Sequence, residues 1–158
     1  MSPRDTSRRE TANERADRNL SELLQELRVV LPGIQVLFAF LLTVPFAQRF
    51  GSLTRYQVDL FFVILLLTAL ATVLLIAPTA NHRLLFRKRQ KEHLVQVSNR
   101  LAIAGLAVLA VAMCGAILLI SDMLFGPGHT KTLATVGTAA LFIVFWALMP
   151  LIRRARLR

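Results

Sequence analysis

The side chains in this sequence that could carry a proton or hold an ion are few and widely spaced. Glu26, Asp59, His82 and Asp122 each stand at the edge of a long uncharged stretch. Ionisable groups of this kind, when they lie near the middle of a membrane, are what coupled transporters use to exchange one cation for another. Each also has a plainer role. Asp59 falls where a helix should begin, and a carboxylate there is favoured by the positive end of the helix dipole. Imidazole is the side chain whose unperturbed pKa lies nearest neutrality, but His82 and His93 are eleven residues apart with no cysteine nearby, which is not metal-ligand spacing. The single cysteine, Cys114, lies within an apolar stretch and reads as a small packing residue. The sequence offers no nucleophile motif, phosphate-binding loop or facing pair of carboxylates, so neither an enzyme nor a bound cofactor or metal is expected.

The elements that must position these groups are four apolar windows. Uncharged runs of 20, 23, 21 and 21 residues separate Arg28 from Arg49, Asp59 from Arg83, Arg100 from Asp122 and Lys131 from Arg153. At about 1.5 Å per residue each run just covers a hydrocarbon layer of about 30 Å. Four such helices in a water-soluble chain of 158 residues would leave almost no polar surface, so the chain reads as an all-α integral membrane four-helix bundle. An apolar fraction of 55%, with charge confined between the windows, agrees.

A formal charge of +10 on a soluble face would suggest nucleic acid, but here its position matters more than its size. Sixteen Lys and Arg fall before the first window, between the second and third, and after the fourth; three fall in the other two connections. Cytosolic segments carry the cationic excess, so both termini and the middle loop are expected in the cytosol. The partner of that charge is then a bilayer with anionic head groups, and no nucleic acid is expected. Arg83, Arg87, Lys88, Arg89 and Lys91 in the basic loop 82–100 are the candidate lipid contacts, worth about 1 kcal/mol per cation.

Taken in order, residues 1–18 read as a mobile polar tail. Asn19-Leu-Ser-Glu22 has the form of a helix start, and Leu20, Leu23, Leu24, Leu27 and Leu31 then recur at spacings of three and four. This predicts an amphipathic helix over 19–31, lying at the interface on lipid or covering the cytosolic ends of the bundle. Pro32 should bend the chain, because its ring removes a donor and meets the carbonyl of Arg28. The spans are expected at about 32–48, 57–77, 101–121 and 132–151, within a bundle covering 32–152, with a basic tail at 153–158. Gly105, Ala112, Ala116 and Gly137 are the candidate packing residues, since small side chains let helices approach closely in lipid. The third span, richest in them, should be central. The loop cations are also placed to clamp Glu22 and Glu26.

The run Asn19-Leu-Ser-Glu-Leu-Leu-Gln-Glu-Leu-Arg-Val, then Pro32-Gly-Ile-Gln-Val-Leu-Phe, Pro45-Phe, Pro78, His82-Arg83, Phe86-Arg87 and Asn99-Arg100, resembles an uncharacterised family. Its members are small four-span membrane proteins of high-GC Gram-positive bacteria, sometimes labelled sodium:proton antiporters. The resemblance implies a multi-pass protein of a bacterial plasma membrane and brings no transport motif with it. The expected function is a structural or accessory role, as a homo-oligomer or with other membrane proteins. The alternative is a small ion or proton transporter, single or oligomeric.

Overall fold

The computed structural model describes residues 12–48, 50–85, 91–126, 128–148 and 152. Among them the chain runs as α1 (Ala12–Thr43), α2 (Arg55–Leu85), α3 (Lys91–Phe125) and α4 (His129–Phe142), the last continued by a π-helical segment, Ile143–Leu148. Two 3-10 turns, Val44–Phe46 and Phe50–Ser52, lead from α1 to α2. These turns and the connection at 126–128 lie at one end, the loop end; the start of α1 and the adjoining ends of α2 and α3 form the arm end. Three stretches are long and apolar enough to cross a membrane: Asp17–Phe46, Arg55–Ala80 and Val95–Phe125. The first three helices each extend about 47–53 Å, longer than a hydrocarbon layer of about 30 Å.

Burial follows a heptad. In α1 the buried residues are Leu20, Leu27, Ile34 and Leu41, each seven from the next. In α2 they are Phe61, Ile64, Thr68, Ala71, Leu75 and Pro78, and in α3 Ser98, Ala102, Gly105, Leu109 and Ala112 continue the alternation of three and four, with Leu119 one heptad on. A 3.5-residue repeat keeps such a seam turned to its neighbours when helices wrap left-handedly around one another. The seam joins one cluster built on Leu27, Ile34, Ala71, Leu75, Ala102 and Leu109 to a second, nearer the loop end, built on Leu41, Phe61, Ile64 and Leu119.

The closest approach is between α2 and α3. A Cβ placed on Gly105 would lie 2.8 Å from Leu75 Cγ, and one on Gly115 would lie 2.9 Å from Ile64 Cγ1. Ala112 is fully buried, and Ala116 packs against the second cluster. Helix α3 touches α1, α2 and α4, the central place expected of it. Gly137 differs from the expectation: a Cβ there would meet nothing within 4 Å, so among the described residues no neighbour packs on this glycine.

Three further expectations are corrected. Helix α1 passes through Pro32 unbroken, so 19–31 and 32–48 are not separate helices. Pro32 and Arg28 are both exposed, on the side away from the buried seam, where a loosened turn costs little packing. Of the two placings open to the leucine face of 19–31, the structure has the one on protein: Leu20 and Leu27 are buried, and Leu23 and Leu31 lie against the cluster of Ala71, Leu75 and Ala102. Residues 12–18, placed in the mobile tail, form the first turns of α1. Finally, the buried core belongs to three helices. Among the described residues α4 has no buried residue and packs on α3 alone, as a flank to a three-helix core.

Candidate functional site at the loop end

The polar side chains that tertiary structure brings together lie at the loop end. Helix α2 opens with a reciprocal cap: Gln57 N–H donates to Thr54 Oγ1 at 3.3 Å, and Thr54 N–H donates to Gln57 Oε1 at 3.0 Å. This satisfies two amides that a helix start leaves without partners. It also fixes the Gln57 amide, whose Nε2 donates to Asp122 Oδ2 at 3.0 Å. The other carboxylate oxygen, Oδ1, accepts from Lys131 Nζ at 2.6 Å. Asp122 is 13% exposed and Lys131 27%. The Asp122 carbonyl accepts from Gly126 N–H at 3.0 Å, and Gly126, with a φ of 66°, turns the chain out of α3. Left-handed backbone of this kind at a helix end suits glycine.

Charge in this cluster is compensated locally. The hydrogen bond to the Asp122 carboxylate holds the Lys131 ammonium above its ordinary range. With both carboxylate oxygens engaged, one by a cation, the arrangement acts first as a clasp joining α2, α3 and α4.

The four candidate ion-handling residues do not converge. Asp122 is in the clasp. Asp59 lies outside it, exposed and paired with Arg55 at 3.3 Å one turn back in α2. Because α2 begins at Arg55, Asp59 falls beyond its first turn, which corrects the expected dipole role. Glu26 is exposed on α1 at the far end of the molecule, and its neighbour Glu22 pairs with Arg18 of the same helix at 3.8 Å. His82 is in the last turns of α2, but its side chain lies outside the described residues. Among the lipid-contact candidates, Arg87, Lys88 and Arg89 lie outside the described residues, as do the side chains of Arg83 and Lys91. The clamp on Glu22 and Glu26 therefore falls there too.

Gln57 and Lys131 were missed as site residues, although Thr54-Arg-Tyr-Gln57 carries the spacing of a capping box. The partner of Lys131 could not be read from spacing, because it lies across a connector of unknown shape.

Two apolar grooves run beside α4. One, of about 490 Å³, lies between α1 and α4 with α3 as its floor, and is lined by Gly33, Leu37, Met113, Ile117 and Thr138 among others. The other, of about 500 Å³, is bounded by Ala107 and Ala110 of α3 and by Phe142 and Trp146, whose rings meet edge to face at 5.1 Å. Among the described residues no group of three or more His, Cys, Asp or Glu is placed to hold a metal.

Comparison with curated proteins and with solved structures yields no match. One protein family matches, over residues 9–150, nearly the whole of the helical region just described. The chain belongs to that family, the Family of unknown function (DUF6328).

Proposed function

We propose that this chain is a multi-pass protein of the bacterial plasma membrane that crosses four times, with both termini and the α2–α3 turn in the cytosol, and serves as a structural, complex-forming component rather than an enzyme. Three long apolar helices support the membrane setting. The uncharged window from Lys131 to Arg153 supplies the fourth crossing, and the sixteen-to-three division of cations supports the orientation.

The observation that carries the structural role is the content of the seam. Its buried residues are apolar apart from Thr68, Ser98 and Ser121, and Thr68 turns its hydroxyl back to the carbonyl of Ile64 at 2.8 Å. Coupled ion movement is built on ionisable groups deep in the membrane, whereas this seam is built for close packing. An accessory protein needs a rigid core and lipid-level surface for neighbours, and the α4 flank offers the second. Chemical crosslinking in native membranes tests the reading: ladders of the chain with itself or with other membrane proteins are expected, and an isolated monomer would overturn it.

A second reading, a small sodium:proton exchanger, rests on the part-buried Asp122–Lys131 pair. Its test is a pH-sensitive dye in liposomes under a sodium gradient, with Asp122→Asn and Asp59→Asn alongside. Flux that is lost in either variant would favour this reading over the first.

A further inference from the structure

The two apolar grooves beside α4 differ in the charge at their arm-end mouths. On α3, the residues Ile103, Ala107 and Ala110 that bound the second groove continue toward the arm end through Arg100 and Gln96. Spacings of three and four keep these five on one face of the helix. Arg100 is the last charge before the uncharged window, and both it and Gln96 are exposed. Among the described residues no acidic side chain pairs with Arg100. A helical side chain leans toward the helix start, which here carries the guanidinium to the head-group level. In the first groove the matching position is acidic: one turn before Val30 on α1 stands Glu26, also exposed.

The dimensions of the second groove are those of a lipid tail. Arg100 and Ala110 are ten residues apart. At about 1.5 Å per residue the face between them covers about 15 Å, from one boundary of a layer of about 30 Å to its midplane. The groove holds about 500 Å³. A helix about 11 Å across would need on the order of 2,500 Å³ to cross the same layer. Opposite the small side chains of α3, the rings of Phe142 and Trp146 close the wall.

We propose that this groove binds one anionic phospholipid from the leaflet at the arm end, its phosphate paired with Arg100 and one acyl chain lying along Ile103, Ala107 and Ala110 against Trp146. A planar guanidinium makes two parallel hydrogen bonds to phosphate oxygens, and an anionic head group brings no cation of its own to compete. Arg100 is not one of the five loop cations expected to meet lipid, and a seated lipid is distinct from their diffuse attraction. The site rests on the membrane setting proposed above, and it does not depend on whether the chain joins a complex.

Trp146 is the chain's one tryptophan, so its fluorescence reports what occupies the groove. The full chain is reconstituted in phosphatidylcholine bilayers containing rising fractions of phosphatidylglycerol or phosphatidylcholine with dibrominated tails, bromine being a short-range quencher of indole. Attraction of one cation to an acidic lipid corresponds to a preference of about fivefold, so brominated phosphatidylglycerol should reach half-maximal quenching at about one fifth the fraction that brominated phosphatidylcholine needs. Arg100→Gln should bring the two midpoints together, whereas the loop variant R87Q/K88Q/R89Q should keep them apart. Ala107→Phe, a change at an exposed position that fills the groove, should move the phosphatidylglycerol midpoint to higher fractions. Coincident midpoints in the unaltered chain, a gap that survives Arg100→Gln, a gap lost in the loop variant, or a midpoint unmoved by Ala107→Phe each overturns the site alone. Quenching by neither lipid overturns the membrane setting with it.

Discussion

Lys131 at the start of α4 donates to Asp122 near the end of α3 across 2.6 Å, while Gln57 of α2 holds the second oxygen of the same carboxylate. One side chain thus collects three helices at the end where their connectors are short. Replacing Asp122 with Leu should lower the midpoint of thermal unfolding in detergent more than Asp122→Asn, which keeps a polar partner for Lys131. Circular dichroism at 222 nm measures both.

The Lys131 ammonium is held above its ordinary value of 10.5 by that carboxylate. A cation whose pKa is raised on folding contributes stability in full below its unfolded value and loses it as the pH climbs through the raised one. Unfolding midpoints attributable to the pair should therefore be flat from neutrality to about pH 10 and fall at higher pH. In Lys131→Met that alkaline component should vanish.

The glycines should divide into two classes. Gly105→Leu forces atoms into Leu75 and Leu74, and overpacking of this kind costs about 1–3 kcal/mol. Gly33→Ala and Gly137→Ala enter open space and gain helix propensity, so they should be neutral or stabilising by up to about 1 kcal/mol. Unfolding in mixed micelles with increasing denaturing detergent measures the difference.

The cap of α2 gives a fourth expectation. Thr54→Ala removes the acceptor for Gln57 N–H and should cost about 1 kcal/mol. Gln57→Leu should cost more, because it also strips the brace from Asp122. A smaller loss for Gln57→Leu than for Thr54→Ala would show that the cap and the clasp are unconnected.

Threading is checked by labelling. With Cys114 replaced by Ala, cysteines at Ser52 and His129 should react with an impermeant maleimide on intact cells, and one at Gln90 only after lysis. The opposite result would reverse the proposed orientation.

Much of the architecture is present in the residue pattern. Uncharged windows bounded by Arg28, Asp59, Arg100 and Lys131 announce the helices, because no other backbone can satisfy its own hydrogen bonds in so apolar a run. The small residues between Ala102 and Ala116 mark α3 as central, because side chains of that size permit close approach. Pro32 misled. It removes one donor, which is a local cost, and the seam of Leu20, Leu27, Ile34 and Leu41 carries α1 on through Pro32 by contacts distant in sequence.

What the sequence determined by itself was therefore the helical class of the chain and the place of its long apolar runs, since these depend on runs of neighbouring residues. Tertiary structure alone decided which faces meet. It put the leucines of 20–31 on protein, left Gly137 and the whole of α4 outside the buried core, and joined Asp122 to Gln57 and Lys131 but not to Asp59. The physical reason is that an apolar helix in lipid has no solvent-facing side to mark its orientation. Packing among helices, a property of the assembled bundle, has to choose it.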